Sequence, residues 1–222
     1  MNGDINQTTA WAVSIAGNTT VELLYRLFTD DEARQLKKFS EQLKRDGRKE
    51  VFNEIWLYDQ SLGGLGAFAM PSDPTVNPFN TWGQDRNLFR SIQYAKASIV
   101  HNPTYPRGYI VDVGRSLEIT SKYILDRYSI ISRLQNKEML GKSLLRLHNK
   151  KIIGDELYEN CRLMANLYNL AKHGMREDSP HSFSLLDGLV AFFSMRKIHN
   201  QLMVIIDHRS MHQAYAPWAD KT

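Results

Sequence analysis

The stretch Arg162-Leu-Met-Ala-Asn-Leu-Tyr-Asn-Leu-Ala-Lys-His173-Gly174 reads as the last turns of an amphipathic helix that stops at a glycine. At about 100° per residue, Asp155, Glu159, Arg162, Asn166, Asn169 and His173 fall on one stripe. Leu157, Cys161, Met164, Tyr168 and Ala171 form another. The second stripe suits burial in a bundle. The first presents a cation, two amides and an imidazole in a line, which suits a phosphate backbone, an identical stripe on a partner, or plain water.

Outward from this helix the same periodicity persists. Ile110, Val113, Leu117, Ile124, Tyr128 and Ile131 predict one long helix from Arg107 to about Arg133, and Met139 to Ile153 a second. Asp155 to His173 is the third and Ser184 to about Ile206 the fourth. The apolar run from Phe183 to Met195, closed by Arg196 and Lys197, is too short for a membrane span and reads as a buried helix. Brief connections between four helices favour an antiparallel bundle.

Upstream, Thr19 with Glu22 and Thr29 with Glu32 read as two capping boxes, opening helices to Phe28 and to about Asp46. Val51 to Leu62 reads as a third helix and Gln84 to His101 as a fourth. Between Gly63 and Thr81, three prolines (Pro71, Pro74, Pro78) exclude helix and ladder strand, leaving either a connector or a lid packed by Phe68, Phe79 and Trp82. The expected division is therefore an N-terminal helical unit with its Pro/Gly-rich loop, 1–82, and a helical bundle, 83–222, in an all-α chain.

With 42% apolar and 23% charged residues in 222, the chain can bury a core unaided. Its single cysteine allows no internal disulfide, and no basic, then apolar, leader opens it, so a cytoplasmic protein is expected. The net charge of +4 is concentrated in the middle: residues 107–151 carry 10 Lys/Arg against 4 Asp/Glu, an excess of 6. Such a block can neutralise phosphates. Arg146, Lys150, Lys151 and Arg162 are the candidate RNA contacts; a solvated helix face is the alternative. Arg115 and Glu118 read as a surface ion pair.

Nothing in the chain matches a phosphate-cradling glycine loop, a dinucleotide fingerprint or a G-x-S-x-G elbow. His208 and His212 share a helical face, but no glutamate follows the H-E-x-x-H pattern, and His199 stands apart, so no metal or cofactor is expected. The tight local set is Asn169, His173 and Arg176. Arg162, eleven residues from His173, is roughly 16 Å away along the axis.

Val113-Gly-Arg-Ser-Leu-Glu118, Leu144-Leu-Arg-Leu-His-Asn-Lys-Lys-Ile-Ile153 and Tyr168-Asn-Leu-Ala-Lys-His-Gly174 together resemble the HEPN superfamily of helical domains over about residues 107–206. The resemblance implies a HEPN-like antiparallel bundle with an N-terminal extension, commonly a homodimer, in a prokaryotic or phage defence or toxin system. Many members are metal-independent ribonucleases with an arginine, a polar residue beside it, and a histidine. Asn169 and His173 match the last two, but Tyr168 holds the arginine position. An imidazole would move protons at the 2′-hydroxyl or the leaving oxygen while a cation stabilises the phosphoryl oxygens. Tyrosine supplies no such charge, so cleavage would need Arg176, or Arg162 across a two-fold axis. The alternative is a non-catalytic dimerisation or partner-binding module of the same fold.

Overall fold

The computed structural model describes residues 17–45, 49–62, 87–131, 137–173 and 183–215. Among them every regular element is an α-helix, so the chain is all-α as expected. The helices are α1 (17–27), α2 (Asp30–Arg45), α3 (Lys49–Ser61), α4 (Asn87–His101), α5 (Pro106–Arg127), α6 (Leu140–Asn149), α7 (Asp155–His173) and α8 (Leu185–Tyr215). No described helix is long and apolar enough to cross a membrane.

With α5, α8 forms the centre of the bundle. From Leu189 to Arg196 every residue is buried, because α2, α5 and α7 pack around it. The run that the sequence ends at Arg196 therefore continues: Arg196 is fully buried, and Ile198, His199, Leu202 and Met203 stay inside. A guanidinium is tolerated there because Asp59 of α3 meets it. Direction follows from particular contacts. Gly188 meets Pro106 and Tyr109, and the Tyr128 hydroxyl donates to the Ile205 carbonyl at 3.3 Å, so α5 and α8 run parallel. Arg107 reaches Ala171 while Gly114 and Glu118 face Tyr168, so α7 runs antiparallel to α5.

Two caps define helix starts. The Thr29 N–H donates to Glu32 Oε2 at 2.8 Å and the Glu32 N–H to Thr29 Oγ1 at 3.3 Å, the reciprocal pair the spacing predicts at the head of α2. Ser184 and Asp187 do the same for α8, and Thr20 Oγ1 donates to Asp187 Oδ1 at 2.6 Å, fastening α1 to the start of α8. The Lys197 ammonium binds both Glu32 oxygens at 2.8 Å and the Leu27 carbonyl at 2.8 Å. Burial acts to raise the Glu32 pKa, but Lys197 and the Thr29 amide outweigh it and hold the carboxyl below its ordinary 4.5. Glu32 thus stabilises the fold above that ordinary value and loses its contribution as pH falls through the lowered one. Thr29→Ala is expected to cost about 1 kcal/mol in urea unfolding, since one cap donor loses its acceptor.

Five local readings are corrected. Thr19 lies buried inside α1, not at its start, and Glu22 pairs with Arg26 at 3.1 Å. Helix α5 stops at Arg127 rather than Arg133: Ser129 turns left-handed (φ 55°), and the Ser129 and Ile130 amides return to the Asp126 and Leu125 carbonyls, each at 2.9 Å. Helix α6 ends at Asn149, four residues short of Ile153, while α8 runs past Ile206 to Tyr215. Glu118 pairs with Lys122 at 2.8 Å rather than with Arg115, whose charge acts on Asp112.

The 82/83 division and the loop from Gly63 to Thr81 lie outside the described residues. On either side of them the buried apolar side chains form one core, from Leu23, Leu36 and Ile55 to Ile110, Leu167 and Phe192.

Candidate functional site

Helix α7 has the bounds and the two faces that its sequence predicts. Leu157, Cys161, Met164, Tyr168 and Ala171 are buried; Asp155, Arg162, Asn166 and Asn169 are exposed. The buried arc is wider than the periodicity suggests, since Leu163, Ala165 and Leu167 are also covered. This leaves a narrow polar stripe along the helix. On it, Arg162 Nε donates to Glu159 Oε2 at 2.9 Å, and Glu22 of α1 adds to the negative field on the same guanidinium.

Tyr168 occupies a packing position. It is buried against Gly114 of α5, its hydroxyl donates to Glu118 Oε2 at 3.3 Å, and Lys172 lies 5.3 Å from its ring centroid. Burial acts to raise the Glu118 pKa, yet Lys122, Tyr168 and Lys172 together hold it low. His173 closes α7, but its side chain lies outside the described residues, as does all of Arg176. A different cation stands at this helix end. Arg107 Nε donates to the Ala171 carbonyl at 2.7 Å, satisfying one of the last α7 acceptors from the first turn of α5. Sixty-four residues separate the pair, so no local pattern announces it.

The four candidate RNA contacts divide. Lys142, Arg146 and Lys150 follow one another at four-residue spacing along α6 and its cap, and Lys151 is adjacent. Both lysines of the cap are exposed. Arg146 is engaged by Glu138, through Nε at 3.2 Å and a terminal nitrogen. Lys151 adopts φ 54°, and the Lys151 and Ile152 amides return to the His148 and Leu147 carbonyls at 2.8 and 3.0 Å. That is the left-handed cap in which glycine is the relaxed residue. Across the turn, His148 Nε2 lies 2.7 Å from Asp155 Oδ1, and its ring stacks on Tyr158 at 4.4 Å. These contacts fix the basic turn against the start of α7. Arg162 sits two turns farther on, and Asn169 and His173 mark the opposite end, about 27 Å along the axis from Asp155.

One polar cluster escapes sequence reading. Asp59 of α3 accepts from Arg196 Nε at 2.6 Å and forms an ion pair with Lys96 of α4; all three side chains are buried. Lys96 also lies 5.3 Å from the Trp56 ring centroid. Burial holds the Lys96 ammonium below its ordinary 10.5, opposed by Asp59. His199, one turn beyond Arg196, is pushed down to about 3 by burial and by that guanidinium, so it is a neutral core residue at physiological pH. Burial pushes the Cys161 thiol up to about 12, which leaves it an inert core side chain. Among the described residues no group of three or more His, Cys, Asp or Glu could hold a metal ion. Comparison with protein-family models, curated proteins and solved structures returns no match to this chain.

Proposed function

We propose that this chain is an RNA-directed helical protein that holds a single strand along the exposed stripe of α7. The strand is gripped at the α6–α7 turn by Lys142, Lys150 and Lys151, passes Arg162 and Asn166, and ends at Asn169, His173 and Arg107. The observation that carries this reading is Lys151 itself. A lysine holds a left-handed cap that glycine would hold without strain, at the tip of a segment, 137–151, with five Lys/Arg and one acidic residue. A lysine in the left-handed region at an exposed basic turn points to use of its side chain.

The resemblance of three short motifs to HEPN domains adds a setting: a cytoplasmic homodimer in a prokaryotic or phage defence or toxin system. It also adds an activity, metal-independent cleavage with His173 moving the proton and Arg107 or Arg176 supplying the charge that Tyr168 lacks. The burial of Tyr168 favours a second reading, a non-catalytic partner-binding module of the same architecture.

Lys151→Gly separates use from structure. It is expected to raise stability by about 0.5 to 1 kcal/mol while weakening single-stranded RNA binding and lowering the salt slope by about one phosphate contact. Fluorescence anisotropy across a salt series measures the second effect and urea unfolding the first. Unchanged binding in this variant and in Lys142→Gln/Lys150→Gln would end the RNA reading. In EDTA, RNA cleavage that disappears in His173→Ala supports the enzyme; RNA bound but uncut supports the module.

A further inference from the structure

Helix α1 carries an outward face that nothing among the described residues covers. Tyr25 is 88% exposed and Val21, one turn earlier, 65%. Beside them Glu22 and Arg26 form an exposed pair at 3.1 Å. The opposite face of α1 is occupied: Leu23 is fully buried, and Thr20 is bonded to Asp187. The exposed residues are therefore not strays from a misfitted helix. They form an apolar step flanked by one acid and one base.

We infer that this face is the contact between two copies of the chain, with the α1 helices antiparallel across a two-fold axis near residues 23 and 24. The inference rests on the self-association proposed above and names its surface. The argument is charge complementarity. In an antiparallel pair with a two-fold axis, residue i meets j and j meets i. Val21 then meets the partner's Tyr25, and Tyr25 the partner's Val21. An axis midway between residues 23 and 24 leaves both this contact and that of Glu22 with the partner's Arg26 within about 2 Å of level, and repeats the match on its other side. A parallel pairing in register would instead set the Val21 and Tyr25 side of one helix against the Glu22 and Arg26 side of the other, apolar against charged. Only the antiparallel arrangement matches both the apolar step and the charges. A pair of short helices is a small interface, so a dissociation constant in the micromolar range is expected.

Sedimentation equilibrium of the full chain over about 1 to 100 µM tests this. The wild type is expected to be a reversible dimer. Glu22→Arg alone brings two cations together at each charge contact, and Arg26→Glu alone brings two carboxylates together; each is expected to weaken association about 10- to 100-fold. The double exchange Glu22→Arg/Arg26→Glu restores the match and the dimer, and mixing the two single variants yields a heterodimer that neither forms with itself. Tyr25→Glu abolishes association. All of these changes lie on an exposed face, and circular dichroism confirms that each variant is folded. A monomeric wild type overturns both the self-association and this surface. A dimeric wild type indifferent to Tyr25→Glu and to charge exchange leaves self-association standing and overturns the surface.

Discussion

Asp59→Asn is expected to destabilise the protein by about 3 to 5 kcal/mol, a large share of the stability of a single domain. Asp59 lies between α3, α4 and α8, with Arg196 Nε at 2.6 Å on one oxygen and the Lys96 ammonium on the other. Both cations are buried, and an amide of the same shape keeps the volume but removes the compensating charge. The loss carries a pH signature. Because the Lys96 ammonium already sits below its ordinary 10.5 in the folded state, the unfolded chain binds more protons between the two values, and stability rises with pH across that window. Removing Asp59 takes away an upward pull and extends the window downward. The deficit of Asp59→Asn relative to wild type should therefore shrink as pH is raised from about 7 to about 10. Urea unfolding at several pH values measures it. A pH-independent deficit would mean that the variant loses packing rather than charge compensation, and a deficit below about 1 kcal/mol would remove the ion cluster from the core.

This cluster also marks where the sequence is silent. Asp59, Lys96 and Arg196 come from three helices spread over 137 residues, and each sits in a segment whose local pattern is simply helical. An unaided reading takes Arg196 as the polar end of an apolar run, because hydropathy treats a charge as an exit to solvent. Only the tertiary meeting with Asp59 makes its burial possible. Periodicity fares better where both faces of a helix are settled by one partner layer. The bounds and the exposed stripe of α7 follow from it, as does the Thr29–Glu32 cap, since these depend on residues within a turn or two. Helix ends at Ser129 and Lys151 are hidden because both left-handed caps use residues other than glycine. Arg107 at the end of α7 is hidden for the same reason as the ion cluster: the carbonyl it meets is remote in sequence.

Gly114→Ala is expected to be the most damaging single-methyl change in the bundle. A Cβ on Gly114 would lie 2.5 Å from Tyr168 Cβ and closer still to the ring. Tyr168 Cβ is fixed to the α7 backbone and cannot swing away, so the helices must part. Alanine gains about 1 kcal/mol of helix propensity, yet forced separation of packed helices costs about 3 kcal/mol or more, so a net loss of at least about 2 kcal/mol is expected. Gly141→Ala is the control: nothing lies within 4 Å of its Cβ, and the change should be neutral or stabilising by up to about 1 kcal/mol. Urea unfolding of both variants decides the matter, and the consequence reaches the site. A large deficit for Gly114→Ala means that Tyr168 is committed to the α5–α7 seam, so any cleavage at His173 must take its positive charge from Arg107, Arg176 or a second subunit. A neutral Gly114→Ala would mean that the seam is open at this level, and would return the Tyr168 hydroxyl to the list of groups that could touch a phosphate.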